Sequence, residues 1–410
     1  NVKYGVVIDA GSSGTRLHVY KWKDEDLDLL QIVPLIEEFK KLEPGLSSFA
    51  TKPEEAAKYL TPLLEFAEEV IPDSQLSETP VFLGATAGMR LLPEDASEKI
   101  LRALRNGLKS LSTFPVDDQG VRIIDGAEEG LYGWITVNYL LGRFGKDPEQ
   151  CRQSTVGVID LGGASTQIAF EPQEGFVIAS KVEDGNLYLQ QERLYGEKYD
   201  VYVHSFLGYG ANEALRKYLA KLISNLSNLI LSDPCLPPGF NKTVSYSEVE
   251  FDVFAIRGTG NWEQCSNSIR ELLNKNAVCP YEQCTFNGVH APSIGALQKN
   301  IGASSYFYTT GDFFGLVGEY EVASPEKLTD KAKEACSKNW EDIKSGYPKT
   351  LDKNVSEEYA CFDLAYILSL LHDGFSLDPT SELIQSVKKI AGSEAGWTLG
   401  AMLYLTNALP

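Results

Sequence analysis

The sequence predicts an α/β fold made of two related halves, and two observations carry this. Short β-branched apolar runs alternate with helix-like segments through the first 141 residues, the pattern of mixed or parallel sheets covered by helices. One motif also occurs twice: Gly-Val-Val-Ile-Asp-Ala-Gly-Ser-Ser-Gly-Thr-Arg-Leu at 5–17 and Val-Gly-Val-Ile-Asp-Leu-Gly-Gly-Ala-Ser-Thr-Gln-Ile at 156–168. With Asp9 laid on Asp160, Ile8 meets Ile159, Gly11 meets Gly162, Thr15 meets Thr166 and Leu17 meets Ile168.

Each copy reads as a buried strand, a tight turn of small residues and a second strand. Gly and Ser in the turn let a ligand approach the backbone and aim N–H groups at it. An Asp at the end of a buried strand is costly unless a cation or hydrogen-bond donor meets it. Two unrelated glycine hairpins are the plain alternative, but shared Asp and Thr offsets favour two facing hairpins around one phosphorylated ligand.

The remaining elements follow in order. Pro53 opens a helix over Glu54–Val70. Pro80–Arg90 is a strand running into a small-residue turn, Glu94–Leu111 a helix, Gly120–Asp125 a strand and Glu128–Leu141 an amphipathic helix. Lys181–Pro238 reads as Tyr- and Leu-rich helices elaborating the second half, and no low-complexity linker separates the halves. The halves are drawn as 1–125 plus 392–410, and 126–391.

At 410 residues the chain has room for two or three domains, and 43% hydrophobic residues with 10% aromatics provide for a real core. The net charge of −20 argues against a nucleic-acid or anionic-membrane surface, yet leaves room for a small phosphorylated ligand. No run reaches the roughly 18 apolar residues of a membrane helix. The chain starts at Asn1 without initiator Met or signal peptide and reads as processed, which says nothing about secretion.

Of the seven Cys, Cys151 stands apart and the other six lie between Cys235 and Cys361. Irregular spacing and only four His disfavour zinc. Six Cys allow 15 pairings; chain order suggests 235–265, 279–284 and 336–361. Sequons at Asn225, Asn241 and Asn354 share that half, so an oxidising, secretory location is expected.

Three further glycine-punctuated runs stand out. Gly84-Ala-Thr-Ala-Gly88 offers Thr86 and N–H groups to an anion. Gly126-Ala-Glu-Glu-Gly130 sets two carboxylates at a helix mouth, either as dipole partners or as a general base. Gly396-Trp-Thr-Leu-Gly400 alone reads as a helix with a buried Trp.

Asp9-Ala-Gly-Ser-Ser-Gly-Thr15, Gly84-Ala-Thr-Ala-Gly-Met-Arg90, Glu128-Glu-Gly-Leu-Tyr-Gly-Trp134, Asp160-Leu-Gly-Gly-Ala-Ser-Thr-Gln167 and Gly396-Trp-Thr-Leu-Gly400 resemble the five apyrase conserved regions, in order. The chain is similar to the apyrases, or nucleoside triphosphate diphosphohydrolases, most of all the soluble plant type. The resemblance implies an actin-like fold of two ribonuclease-H-like lobes with the active site in the cleft between them. It implies hydrolysis of nucleoside tri- and diphosphates by direct attack of water, assisted by a divalent metal, Ca²⁺ or Mg²⁺. Glu129 matches the catalytic base, and Ser165 and Gln167 the residues that place the water. Asp9 and Asp160 match the pair that hold the metal through its water shell, with Trp397 near those waters. Ser12, Ser13, Gly14 and Thr15 would cradle one phosphate. Gly162, Gly163 and Ala164 would cradle another, beside Thr86 and Ala87.

For the base, Tyr308 matches a stacking Tyr, although the aromatic run 306–308 also suits core packing. Animal relatives carry an Arg where Ser356 falls, with Tyr359 following; stacking then dominates and base preference is broad. Two rivals stay open: an actin-like phosphotransferase such as a sugar kinase, and a carbohydrate-binding receptor role beside hydrolysis.

Overall fold

The computed structural model describes residues 2–23, 33–34, 40–144, 155–172, 188–225, 229–245, 253–281, 283–291, 301–305, 307–308, 310, 324–346, 357–386 and 388–406. Cys151, Asn354 and Ser356 lie outside them. Two compact units form: Asn1–Pro172 with Tyr188–Gly208 and Lys388–Pro410, and Gln173–Leu187 with Tyr209–Val387.

In the first unit β1 (Val2–Ala10) pairs antiparallel with β2 (Thr15–Lys23), whose other edge carries the short β3 (Val33–Pro34) and β4 (Lys40–Leu42). Parallel strands β5 (Val81–Ala85) and β6 (Val121–Ile123) complete the order β3-β2-β1-β5-β6, with β4 also on β2. Helix Glu94–Leu111 has the expected bounds and presents Ile100, Leu101, Leu104 and Leu108 at helical spacing to a core shared with Ile8, Leu17 and Leu83. Leu104 is fully buried there, so truncation to Ala would cost about 2–5 kcal/mol.

The helix expected over 54–70 is broken. A 3₁₀ turn, Pro53–Glu55, leads into Ala56–Tyr59, and a new helix, Thr61–Val70, starts with Pro62 in its first turn. Proline lacks the N–H that a continuous helix would use, so it fits only a new start.

A second sheet of the same unit has the antiparallel order β7 (Gly157–Leu161), β8 (Ser165–Phe170), β10 (Glu197–Leu207), β9 (Leu189–Leu194). Residues 189–207, expected to be helical, are thus a hairpin. Its two-residue turn, Tyr195-Gly196, has positive φ at both positions (54° and 78°), the geometry that matches strand twist. Tyr in place of the usual Asn or Asp hid that turn in the sequence.

Helix Gly126–Leu140 is the other departure. Instead of showing the one polar face of the amphipathic helix expected over 128–141, it is buried continuously from Glu129 to Asn138. Strands β7, β8 and β10 cover one side and helix Trp397–Leu405 packs on another. Several of its polar groups are satisfied internally, although the buried indole N–H of Trp134 has no hydrogen-bond partner among the described residues. Asn138 bonds both the N–H and the carbonyl of Val156, and Thr136 Oγ1 accepts from Gly400 N at 2.8 Å. Tyr20 and Thr398 share a buried hydroxyl hydrogen bond of 2.8 Å, tying the C-terminal helix to β2.

The second unit holds helix Ala211–Ser224 and a small sheet in which β13 (Val253–Gly258) lies between β11 (Ile230–Asp233) and β12 (Asn241–Ser245). A parallel pair, β14 (Ile301–Ser305) and β15 (Ile384–Ser386), and the buried helix Ala360–Leu368 belong to it as well. Disulfides join Cys235 to Cys265, Cys279 to Cys284 and Cys336 to Cys361, the pairs that chain order suggested. Among the described residues no helix is long and apolar enough to cross a membrane.

Candidate active site

The two repeats fold with one register. In the first hairpin Ile8 pairs with Leu17, Asp9 with Arg16 and Ala10 with Thr15; in the second Ile159 pairs with Ile168, Asp160 with Gln167 and Leu161 with Thr166. Each leaves a four-residue loop, 11–14 and 162–165, between its strands. Both loops curl alike: a Cβ on Gly11 would lie 3.2 Å from the Gly14 carbonyl, and one on Gly162 3.3 Å from the Ser165 carbonyl. Both hairpins sit in the first unit.

The matched positions differ in one respect. Opposite Asp9 stands Arg16, whose guanidinium donates to the Asp9 carboxylate at 3.4 Å, whereas opposite Asp160 stands the neutral Gln167. The Trp397 indole also donates to Asp9. Even so, burial pushes the Asp9 carboxyl above its ordinary range, and the charge of Asp160 adds to the push against Arg16 and Trp397. The two hairpin carboxylates therefore feel each other directly.

The two Glu of the helix mouth divide the roles that the sequence left open. Asp125 accepts from Glu128 N at 2.7 Å while Glu128 accepts from Asp125 N, a reciprocal capping box, and Arg122 grips Glu128 with two hydrogen bonds of 2.6 and 2.7 Å. Burial opposes its charge, but Arg122 and the Asp125 N–H outweigh that and hold the Glu128 carboxyl low. Glu128 is thus a structural cap.

Glu129 points inward. Its Oε2 accepts from Arg90 Nη2 at 2.8 Å and from Gln167 Nε2 at 3.3 Å. Burial raises its pKa to about 7 against the opposing Arg90, and Asp160 and Asp9 add to the rise. A carboxyl group poised near neutrality can take a proton at ordinary pH.

Arg90 organises this corner. Besides Glu129 it donates to the Ile124 carbonyl at 2.9 Å and to Ser165 Oγ at 3.3 Å. Ser165 Oγ also accepts from Gln167 Nε2 at 2.6 Å. With both lone pairs engaged, the Ser165 hydroxyl is left to act as a donor.

The structure thus gathers Asp9, Asp160, Glu129, Ser165, Gln167 and Trp397 into one neighbourhood. Thr86 is buried nearby, with its N–H and hydroxyl both turned to the Ala10 carbonyl. Tyr308 and Tyr359 belong to the second unit, each half-buried; the Tyr359 ring packs on the Leu231, Leu236, Phe240 and Ile256 cluster. Sequence reasoning quoted Arg90 without giving it a role, and missed Arg16 and Ser205. The Asp–Arg and Asp–Gln offsets of the repeat contained the signal for Arg16; Ser205 left none, because its segment was read as helix.

No group of three or more potential metal-ligating side chains occurs among the described residues. Two all-oxygen carboxylates next to a buried Glu suit a hard cation that keeps most of its own water.

A sheet ordered β3-β2-β1-β5-β6 and a second sheet, each carrying an Asp-ended glycine hairpin, define an actin-like α/β protein. Residues 1–410 match the GDA1/CD39 (nucleoside phosphatase) family, and the chain belongs to that family. Ectonucleoside triphosphate diphosphohydrolase 1 of Mus musculus is 47% identical over 433 residues, covering 100% of this chain and 82% of the mouse protein. A nucleoside-triphosphatase of Pisum sativum is 47% identical over 416 residues, covering 99% and 89%. Among solved structures, nucleoside triphosphate hydrolases from Neospora caninum share the fold with a TM-score of 0.71 at 22% identity, covering 99% of this chain and 93% of the other.

Proposed function

We propose that this chain is a divalent-cation-dependent apyrase that removes terminal phosphates from nucleoside tri- and diphosphates, with Glu129 as general base. The observation that carries the reading is the buried Glu129–Arg90 pair beside Asp9 and Asp160, with a pKa raised to about 7.

A water donating to Glu129 and accepting from the Ser165 hydroxyl would be aimed at the terminal phosphorus, with Gln167 bracing Ser165. As the water oxygen bonds to phosphorus, Glu129 takes its proton and the bond to the leaving nucleoside phosphate breaks. Arg90 favours the ionised form of Glu129 and holds the carboxylate in place before the step. Loop residues Ser12, Ser13, Gly14 and Thr15, and Gly162, Gly163 and Ala164, with Ala87 beside them, would hold phosphates through backbone and hydroxyl donors, whereas Thr86, whose N–H and hydroxyl both turn to the Ala10 carbonyl, would supply neither. Asp9 and Asp160 would hold the cation through its water shell near Trp397, and Ca²⁺ or Mg²⁺ there would neutralise phosphate charge. We assign stacking on the base to Tyr308 and Tyr359. Disulfides and the exposed Asn225 and Asn241 of two sequons support a secreted or luminal glycoprotein.

Phosphate release from ATP, ADP and AMP, measured with Ca²⁺ or Mg²⁺ and without an acceptor alcohol, tests this. Release from ATP and ADP but not AMP, stopped by excess chelator, is expected. Turnover that needs an acceptor hydroxyl would instead make the protein a phosphotransferase.

A further inference from the structure

We propose that Ser205 is a positioning residue for hydrolysis: it keeps the amide of Gln167 from donating fully to Glu129. The inference rests on the reading of Glu129 as base.

Ser205 lies on β10 directly across from Gln167 on β8. Gln167 Nε2 faces three oxygens: Ser165 Oγ at 2.6 Å, Ser205 Oγ at 2.9 Å and Glu129 Oε2 at 3.3 Å. An amide nitrogen carries two protons. The two serines take them at the shorter distances, and Glu129 receives the remainder. A carboxylate that accepts a full amide hydrogen bond is stabilised in its charged form and becomes a weaker base. Ser205 therefore preserves the basicity of Glu129 without touching it.

A second contact gives the same residue hold of the helix. A Cβ on Gly126 would collide with Cβ and Oγ of Ser205, so the helix that carries Glu129 begins against this side chain. One serine thus fixes both the entry of the Glu129 helix and the direction of the Gln167 amide. The first hairpin has no counterpart, since Arg16 stands where the second has Gln167. The charged groups that reach Glu129 are Arg90, Asp160 and Asp9, and a substitution at Ser205 removes none of them.

The test compares pH profiles of kcat/KM for ATP hydrolysis in the wild-type protein, Ser205→Ala and Glu129→Gln. In Ser205→Ala the freed amide proton turns to Glu129, so the acid limb moves to lower pH by roughly one unit and kcat falls about tenfold with KM little changed. Should Ser205→Ala not fold, Ser205→Cys keeps the volume, weakens only the acceptor, and must move the limb the same way by less. An acid limb that stays at its wild-type position overturns the role of Ser205, even if kcat drops. Turnover surviving in Glu129→Gln overturns the base assignment instead, so the two failures are distinguishable.

Discussion

Replacing Arg90 by Met keeps much of the side-chain volume and removes the charge that faces Glu129. The pair is well buried, with side-chain exposures of 13% and 10% and a separation of 2.8 Å. Removing one partner of such a pair leaves an uncompensated charge, at a cost of about 3–5 kcal/mol. It also orphans the Ile124 carbonyl. The cost depends on pH with a definite sign. Burial, helped by Asp160 and Asp9, already raises the pKa of Glu129 from 4.5 to about 7, and losing Arg90 removes the main opposing influence and raises it further. Between pH 4.5 and that higher value the folded protein binds a proton that the unfolded chain does not, so stability falls as pH rises through the window. The deficit of Arg90→Met should be about 3 kcal/mol at pH 8 and smaller by about 1 kcal/mol near pH 5, because only the interval above the wild-type value of about 7 separates the two proteins. Denaturant unfolding of both proteins at the two pH values measures it. A deficit independent of pH, or larger in acid, refutes the assignment of Arg90 as counter-ion to Glu129.

Two other perturbations are diagnostic. A Cβ at position 84 would lie 2.5 Å from the Trp397 ring, so Gly84→Ala should displace the indole that donates to Asp9 and raise the cation concentration for half-maximal activity several-fold; an unchanged cation dependence counts against Trp397 at that site. In the chain-entropy account, removing the Cys235–Cys265 link, with a separation of 30 residues, should cost about 3.7 kcal/mol, against about 2.1 kcal/mol for the five-residue Cys279–Cys284 link. Equal losses in urea unfolding would contradict that ranking.

The parts legible in the sequence were those with local or repeated signatures. The Asp9 and Asp160 hairpins could be aligned because strand, turn and strand recur at the same offsets, and the observed registers follow that alignment. Helix Glu94–Leu111 was legible from its apolar stripe. Helix Gly126–Leu140 was misjudged because periodicity cannot show a helix buried on several sides by strands and another helix distant in sequence. The hairpin at 189–207 was missed because Tyr195 adopts a left-handed conformation that its residue type does not announce. For the same reason Ser205 was invisible: its importance comes from lying across a strand from Gln167, a relation fixed only by tertiary pairing.

The measurement closest to the central claim is phosphate release by Glu129→Gln at saturating ATP and divalent cation, alongside nucleotide binding. If Glu129 activates the water, turnover falls by about a hundredfold or more while nucleotide still binds. A variant that retains more than roughly a tenth of wild-type turnover would show that some other group takes the proton.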